Sequence, residues 1–104
     1  MEKRTPHYPL ARVRALLEAG HYRVTESAQD SAANHFCIID LADIAAVVMR
    51  LKRTEFVKSM TTYSDMRVWQ DVYCPHIETC PAYVKIQIAH NETVVISFKR
   101  WESN

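Results

Sequence analysis

The chain has 104 residues, 48% of them hydrophobic, and a formal net charge of +1, which suits one folded core, excludes a disordered composition and leaves any case for nucleic acid to local charge clustering. A single glycine, Gly20, excludes the phosphate loops that need several; the longest apolar run, Ile44 to Met49, is too short to span a bilayer, and no apolar stretch follows the charged opening MEKRTPHYPL to make a secretory signal. Three cysteines, odd in number and irregularly spaced, fit a reducing cytosol better than a disulfide framework.

The expectation is a single domain over residues 1–104 in the cytoplasm. Met1 to Pro9 is polar, holds two prolines and reads as a loop or an arm lying on the domain. Leu10, Val13, Leu16 and Leu17 recur at helical spacing, and Gly20 stands where a C-terminal glycine would end that helix. Thr25 to Asn34, rich in Ser, Ala and Gln, predicts a second helix. Asp40 is the expected N-cap of a third, roughly Leu41 to Leu51, with Leu41, Ile44, Ala45, Val48 and Leu51 on one stripe.

After Arg53 the texture changes. Phe56 to Tyr63 and Val68 to Tyr73 are rich in β-branched and aromatic residues and are joined by turn-prone chemistry at Thr62-Tyr63-Ser64-Asp65. Tyr83 to His90 alternates, with Val84, Ile86 and Ile88 against Tyr83, Lys85 and Gln87. A tight turn at Asn91-Glu92 leads to Thr93 to Lys99, where Val94, Ile96 and Phe98 oppose Thr93, Val95, Ser97 and Lys99. Helices first and strands afterwards is the order of an α+β domain.

Tyr83 and Lys99 fall on polar strand faces opposite plainly apolar ones. Lys58 and Gln70 lie on the two earlier strands, where the alternation is mixed. One polar side chain per strand could converge on a shared surface that suits a phosphodiester, with Arg50, Lys52, Arg53 and Arg100 adding charge. On pattern alone the plainer reading is that such lysines keep a sheet soluble and guard its edges. Cys74, His76 and Cys80 form C-x-H-x3-C, but a zinc site needs a fourth ligand and none is evident, so no metal and no cofactor is expected. His7, His21, His35 and His90 are scattered and read as surface or packing residues, Trp69, Tyr73 and Phe98 as core, and Asp65 and Asp71 as turn or cross-strand hydrogen-bonding groups.

The fragments MEKRTPH, FVKSMTTYSD, VWQDVY, YVKI and VISFK together resemble the MqsR toxins. The resemblance covers the first seven residues and nearly everything from Phe56 to Lys99; between about Tyr8 and Arg53 only helical texture agrees. It implies a RelE-like fold, with N-terminal helices packed on a twisted antiparallel sheet formed mainly by the C-terminal half. It implies ribosome-independent, sequence-specific cleavage of mRNA as the toxin of a type II toxin-antitoxin system. The implied partner is an MqsA-like antitoxin with a structural zinc domain and a DNA-binding domain, through which alone the toxin would meet operator DNA. The implied site residues are Lys58, Gln70, Tyr83 and Lys99.

Where the family has a basic residue after its equivalent of Tyr73, this chain has Cys74, opening the stretch CPHIETCPA. The substrate sequence and partner identity are therefore not carried over. RNA brings its own 2′-hydroxyl nucleophile, so the site must only align it, take its proton, stabilise the phosphorane and help the 5′-oxygen leave. Lys58 and Lys99 would supply charge, Gln70 would position a base or ribose, and Tyr83 would act as acid or stack on a base. Free lysine and tyrosine titrate near ~10.4 and ~10, so a base at neutral pH requires lysines close enough to depress one another. The base and acid stay unassigned among Lys58, Tyr83 and Lys99. The alternative is a catalytically inactive RNA- or antitoxin-binding module acting in transcriptional autoregulation.

Overall fold

In a computed structural model that describes residues 1–102, the helices come early and most of the sheet late. The helices are α1 (Leu10–Glu18), α2 (Glu26–Phe36) and α3 (Leu41–Met49). The strands are β1 (Glu2–Lys3), β2 (Tyr22–Val24), β3 (Phe56–Thr61), β4 (Trp69–Tyr73), β5 (His76–Ile77), β6 (Cys80–Ala89) and β7 (Glu92–Arg100). The sheet runs β1-β3-β4-β6-β7-β2, and β5 forms a short hairpin with the start of β6. Every pairing is antiparallel except β2 with β7. The α+β architecture, with helices packed on a mainly C-terminal sheet, matches the expectation from sequence.

Local chemistry accounts for the helix ends. Gly20 takes φ +79° just past α1, and the amides of Gly20 and His21 bond back to the carbonyls of Leu17 and Leu16. Thr25 caps α2, its hydroxyl accepting from the Ala28 amide at 3.2 Å. Asp40 stands at the N-cap of α3, but its side chain makes no capping bond. The helices and one sheet face share a core that includes Val13, Leu17, Ile44, Val48, Leu51, Tyr73, Val84, Ile86, Val95 and Phe98. None of the three helices is long and apolar enough to cross a membrane.

Several boundaries depart from the sequence reading. The Met1 to Pro9 arm contributes β1, two residues that pair with Met60 and Ser59 on the outer side of β3; a pairing that short leaves no alternation to read. The β2 strand lies between two helices and exists only through its long-range pairing with β7. The tight turn is His90-Asn91, not Asn91-Glu92: both residues have positive φ, 52° and 60°, as a two-residue hairpin turn requires. Ile96 and Val94 do not share the inner face with Phe98, because β7 bulges between Ser97 and Val95, opposite Lys85 and Ile86. Val95 therefore joins the core. The stretch CPHIETCPA after Tyr73 holds a short hairpin, in which His76 and Ile77 pair with Pro81 and Cys80.

Candidate active site

With the helices on one face of the sheet, the other face presents its side chains in register. Lys58 stands opposite Val72, Val72 opposite Lys85, and Lys85 opposite Ser97. Directly opposed residues share a face, so Lys58 and Lys85 flank the buried Val72 in one row across three strands. Tyr83, two residues before Lys85, stands opposite Lys99. The Lys99 ammonium lies 5.2 Å from the Tyr83 ring centroid, and the Trp101 ring packs at 5.3 Å. Gln70, two residues before Val72, donates from Nε2 to Gln87 Oε1 at 2.8 Å, which fixes both amides. The structure thus brings Lys58, Gln70, Tyr83 and Lys99 onto one face and adds Lys85 at its centre.

Two bulges produce this arrangement. Phe56 pairs with Tyr73 but Lys58 pairs with Val72, so Val57 is an extra residue on β3. In a regular ladder, with Val57 paired, Lys58 would share the inward face of Phe56, which packs against the core; because the bulge leaves Val57 unpaired, the ammonium is turned to the outer face. On β7, Ile96 is the extra residue. Its carbonyl accepts from the Thr25 hydroxyl at 3.0 Å, while the Val95 carbonyl accepts from the Thr25 amide at 3.1 Å. The N-cap of α2 therefore also anchors the bulge beside Lys85.

The electrostatics divide the groups. Lys58 pairs with Glu2 at 3.0 Å, reached across the β1–β3 edge, and that contact holds the Glu2 carboxyl below its ordinary value. Burial pushes the Lys85 ammonium below the usual lysine pKa, and the charges of Lys99 and Lys58 push it the same way. Burial raises the Tyr83 phenol above its ordinary value; Lys58 opposes that shift and Glu2 adds to it. The face therefore holds a lysine biased toward its neutral amine beside a tyrosine biased toward its protonated phenol. A groove of about 540 Å³ opens from Lys85 and Gln70 toward the loop between β3 and β4.

The remaining polar residues have other partners. The buried Asp71 carboxylate accepts from the amides of His7 and Tyr8 at 2.9 to 3.1 Å, tying the N-terminal arm to β4. Asp65 accepts from the backbone and side chain of Arg67 within the turn. His7 stacks on Trp69, and His35 Nδ1 accepts from the Arg100 amide at 2.9 Å. Among the described residues no three His, Cys, Asp or Glu side chains gather where a metal ion could be held.

This arrangement sits in a chain whose residues 5–100 match the family model described as motility quorum-sensing regulator, toxin of MqsA. The chain belongs to the MqsR toxin family. It is 43% identical over 99 residues to the mRNA interferase toxin MqsR of Escherichia coli (strain K12), an alignment covering 95% of this chain and 98% of that protein. Within this chain, sequence reasoning passed over Lys85. The signal was present, because alternation along β6 set Lys85 on the polar face with Tyr83, but a search for one polar residue per strand stops at the first. The shared row of Lys58 and Lys85 could not be seen, since it depends on the bulge at Val57.

Proposed function

We propose that this chain is the toxin of a type II toxin-antitoxin pair: a ribosome-independent, sequence-specific mRNA endoribonuclease that inhibits translation and growth. Membership of the MqsR family supports the class. The observation that carries the chemistry is the lysine row on the helix-free face, with Lys85, whose burial and lysine neighbours lower its pKa, two residues along the strand from Tyr83.

Neutral Lys85 takes the proton of the 2′-hydroxyl, and the resulting alkoxide attacks the adjacent phosphorus. Lys58 and Lys99 hold the non-bridging oxygens as negative charge builds in the phosphorane. The P–O5′ bond then breaks, and Tyr83 gives its phenolic proton to the departing 5′-oxygen. The products are a 2′,3′-cyclic phosphate and a 5′-hydroxyl; solvent returns the proton from Lys85 to Tyr83. Side chains two residues apart on a strand stand about 6.8 Å apart, a spacing that suits an acid and a base on either side of one phosphate. Stacking on Tyr83 is disfavoured because Lys99 and Trp101 already pack against its ring. Gln70 positions the neighbouring nucleotide. Nucleophile, base, acid and charge stabilisation are all supplied without a metal or cofactor.

The partner in this reading is an MqsA-like, zinc- and DNA-binding antitoxin in the cytoplasm, with operator DNA reached only through it. The test is cleavage of a defined single-stranded RNA in excess EDTA by wild type, by the Lys58→Ala/Lys99→Ala double variant, by Lys85→Met and by Tyr83→Phe. Wild type is expected to cut at discrete sites and leave cyclic phosphate ends, with each variant slowed by about 10²-fold or more. A folded wild type that leaves the RNA intact would instead make the chain an RNA- or antitoxin-binding module.

A further inference from the structure

The groove beside Lys85 is more apolar than phosphate chemistry requires. Met1, Met60, Tyr63 and Met66 line it opposite Gln70 and Lys85. Tyr63 is fully exposed at 108% and Met66 at 63%, with Met1 at 75%. Large apolar side chains gathered in the open, next to a polar centre, mark a binding surface. Their loop is also held in place. The Thr62 hydroxyl donates to the Asp65 carbonyl at 2.8 Å and accepts from the Asp65 amide at 3.0 Å. The Thr62 amide bonds to the Val68 carbonyl at 3.1 Å, and the Asp65 carboxylate accepts from the Arg67 amide at 2.9 Å. Tyr63 and Met66 are thus presented on a fixed turn, so little ordering is needed on binding.

The polar wall of the groove has a recognisable chemistry. Gln70 is only 9% exposed, and its Nε2 is fixed by Gln87. Its Oε1 accepts no hydrogen bond from the described residues, and one N–H remains after the bond to Gln87. A fixed amide with a free acceptor and a free donor matches the edge of a nucleobase, and an exposed tyrosine beside methionines offers a face for its ring. An apolar lipid chain would leave the amide without a counterpart, and a neutral peptide would pair with the amide but leave the adjoining lysines without an anion.

We propose that this groove is a nucleobase subsite: Tyr63 stacks on the base of a nucleotide flanking the scissile phosphate, Met60 and Met66 enclose it, and the amide of Gln70 reads its edge. The inference rests on the ribonuclease reading, because continuity with Lys85 is what puts a phosphate next to the groove. It assigns the source of sequence preference to the β3–β4 loop and β4, not to the lysines.

The experiment follows methionine methyl resonances of the full chain by NMR as each of the four nucleoside 3′-monophosphates is added, with ribose 5-phosphate as the sugar-phosphate control. At least one nucleotide should shift the Met60 and Met66 methyls while ribose phosphate leaves them in place. Tyr63→Phe should keep the shift and Tyr63→Ala should lose it. In cleavage assays Tyr63→Ala should raise KM roughly tenfold, the order for removing one stacked base, with kcat moving far less. Methyls indifferent to all four nucleotides, or equally sensitive to ribose phosphate, would overturn the subsite even if wild type cuts RNA. Absent cleavage with nucleotide-specific methyl shifts would overturn the ribonuclease reading and leave the subsite standing.

Discussion

Lys85 stands where burial and like charge work against the fold, and in the proposed mechanism it is the base. Its amine is half-buried, and Lys99 and Lys58 face it with like charge. Lys85→Met keeps the stem and removes the charge, so it should abolish cleavage in the RNA assay while raising Tm by ~2–4 °C in a thermal scan. The pH dependence gives a second readout. The folded-state pKa lies below the ordinary lysine value of 10.5, so between the two pKa values the unfolded chain binds more protons than the folded one. Wild-type stability should therefore climb with pH across that window, and the climb should vanish in Lys85→Met. Cleavage should rise with pH through the same depressed pKa, because only the neutral amine accepts a proton. A flat rate profile below the ordinary lysine range would remove Lys85 as the base.

Among the elements, β1 has the least structure of its own and depends on one carboxylate. Asp71 is fully buried and draws the backbone of His7 and Tyr8 onto β4, while the hydroxyl of Tyr8 donates to the Trp69 carbonyl at 2.8 Å. The segment so tethered carries Glu2 to Lys58. Asp71→Ala should cost about 2–3 kcal/mol in urea unfolding, the range for hydrogen bonds to a charged group. It should also release the β1–β3 pairing, read as lost amide protection across residues 2–8 in hydrogen exchange. Retained protection there would show that pairing with β3 alone holds the arm.

At the scale of the molecule, a net charge of +1 provides little long-range attraction, so the proposed mechanism draws its RNA affinity from the lysine row. Each phosphate contact to a single strand contributes about 0.7 to the slope of log affinity against log salt. Removing Lys58 and Lys99 together should therefore flatten that slope by about 1.4 in a binding titration, and an unchanged slope would place the phosphate elsewhere. The same scale explains what could be read from the sequence. Helices α1 and α3 and strands β6 and β7 showed in local periodicity, α2, β3 and β4 in composition, and the four candidate residues came from strand faces and motif resemblance. Strands β1 and β2 were invisible because two or three residues carry no period. Their existence depends on partners more than fifty residues away. Lys85 was legible as a polar-face residue, but its chemistry was not, since the shift in its pKa comes from neighbours on other strands. The motif Thr62-Tyr63-Ser64-Asp65 read only as a turn; its hydrogen bonds account for Thr62 and Asp65, and the groove for Tyr63.

The bulges at Val57 and Ile96 make the side that a residue faces a matter of odd and even counting, and each extra residue reverses the count beyond it. Lys58 is outward because the bulge leaves Val57 out of the ladder. A relative that kept the position of Val57 but paired it in a regular ladder could keep every lysine and still turn the lysine of β3 toward the helices. For this chain, then, aligning the candidate letters is not enough: whether two neighbouring positions with no reactive group bulge out of the ladder decides which face those letters take.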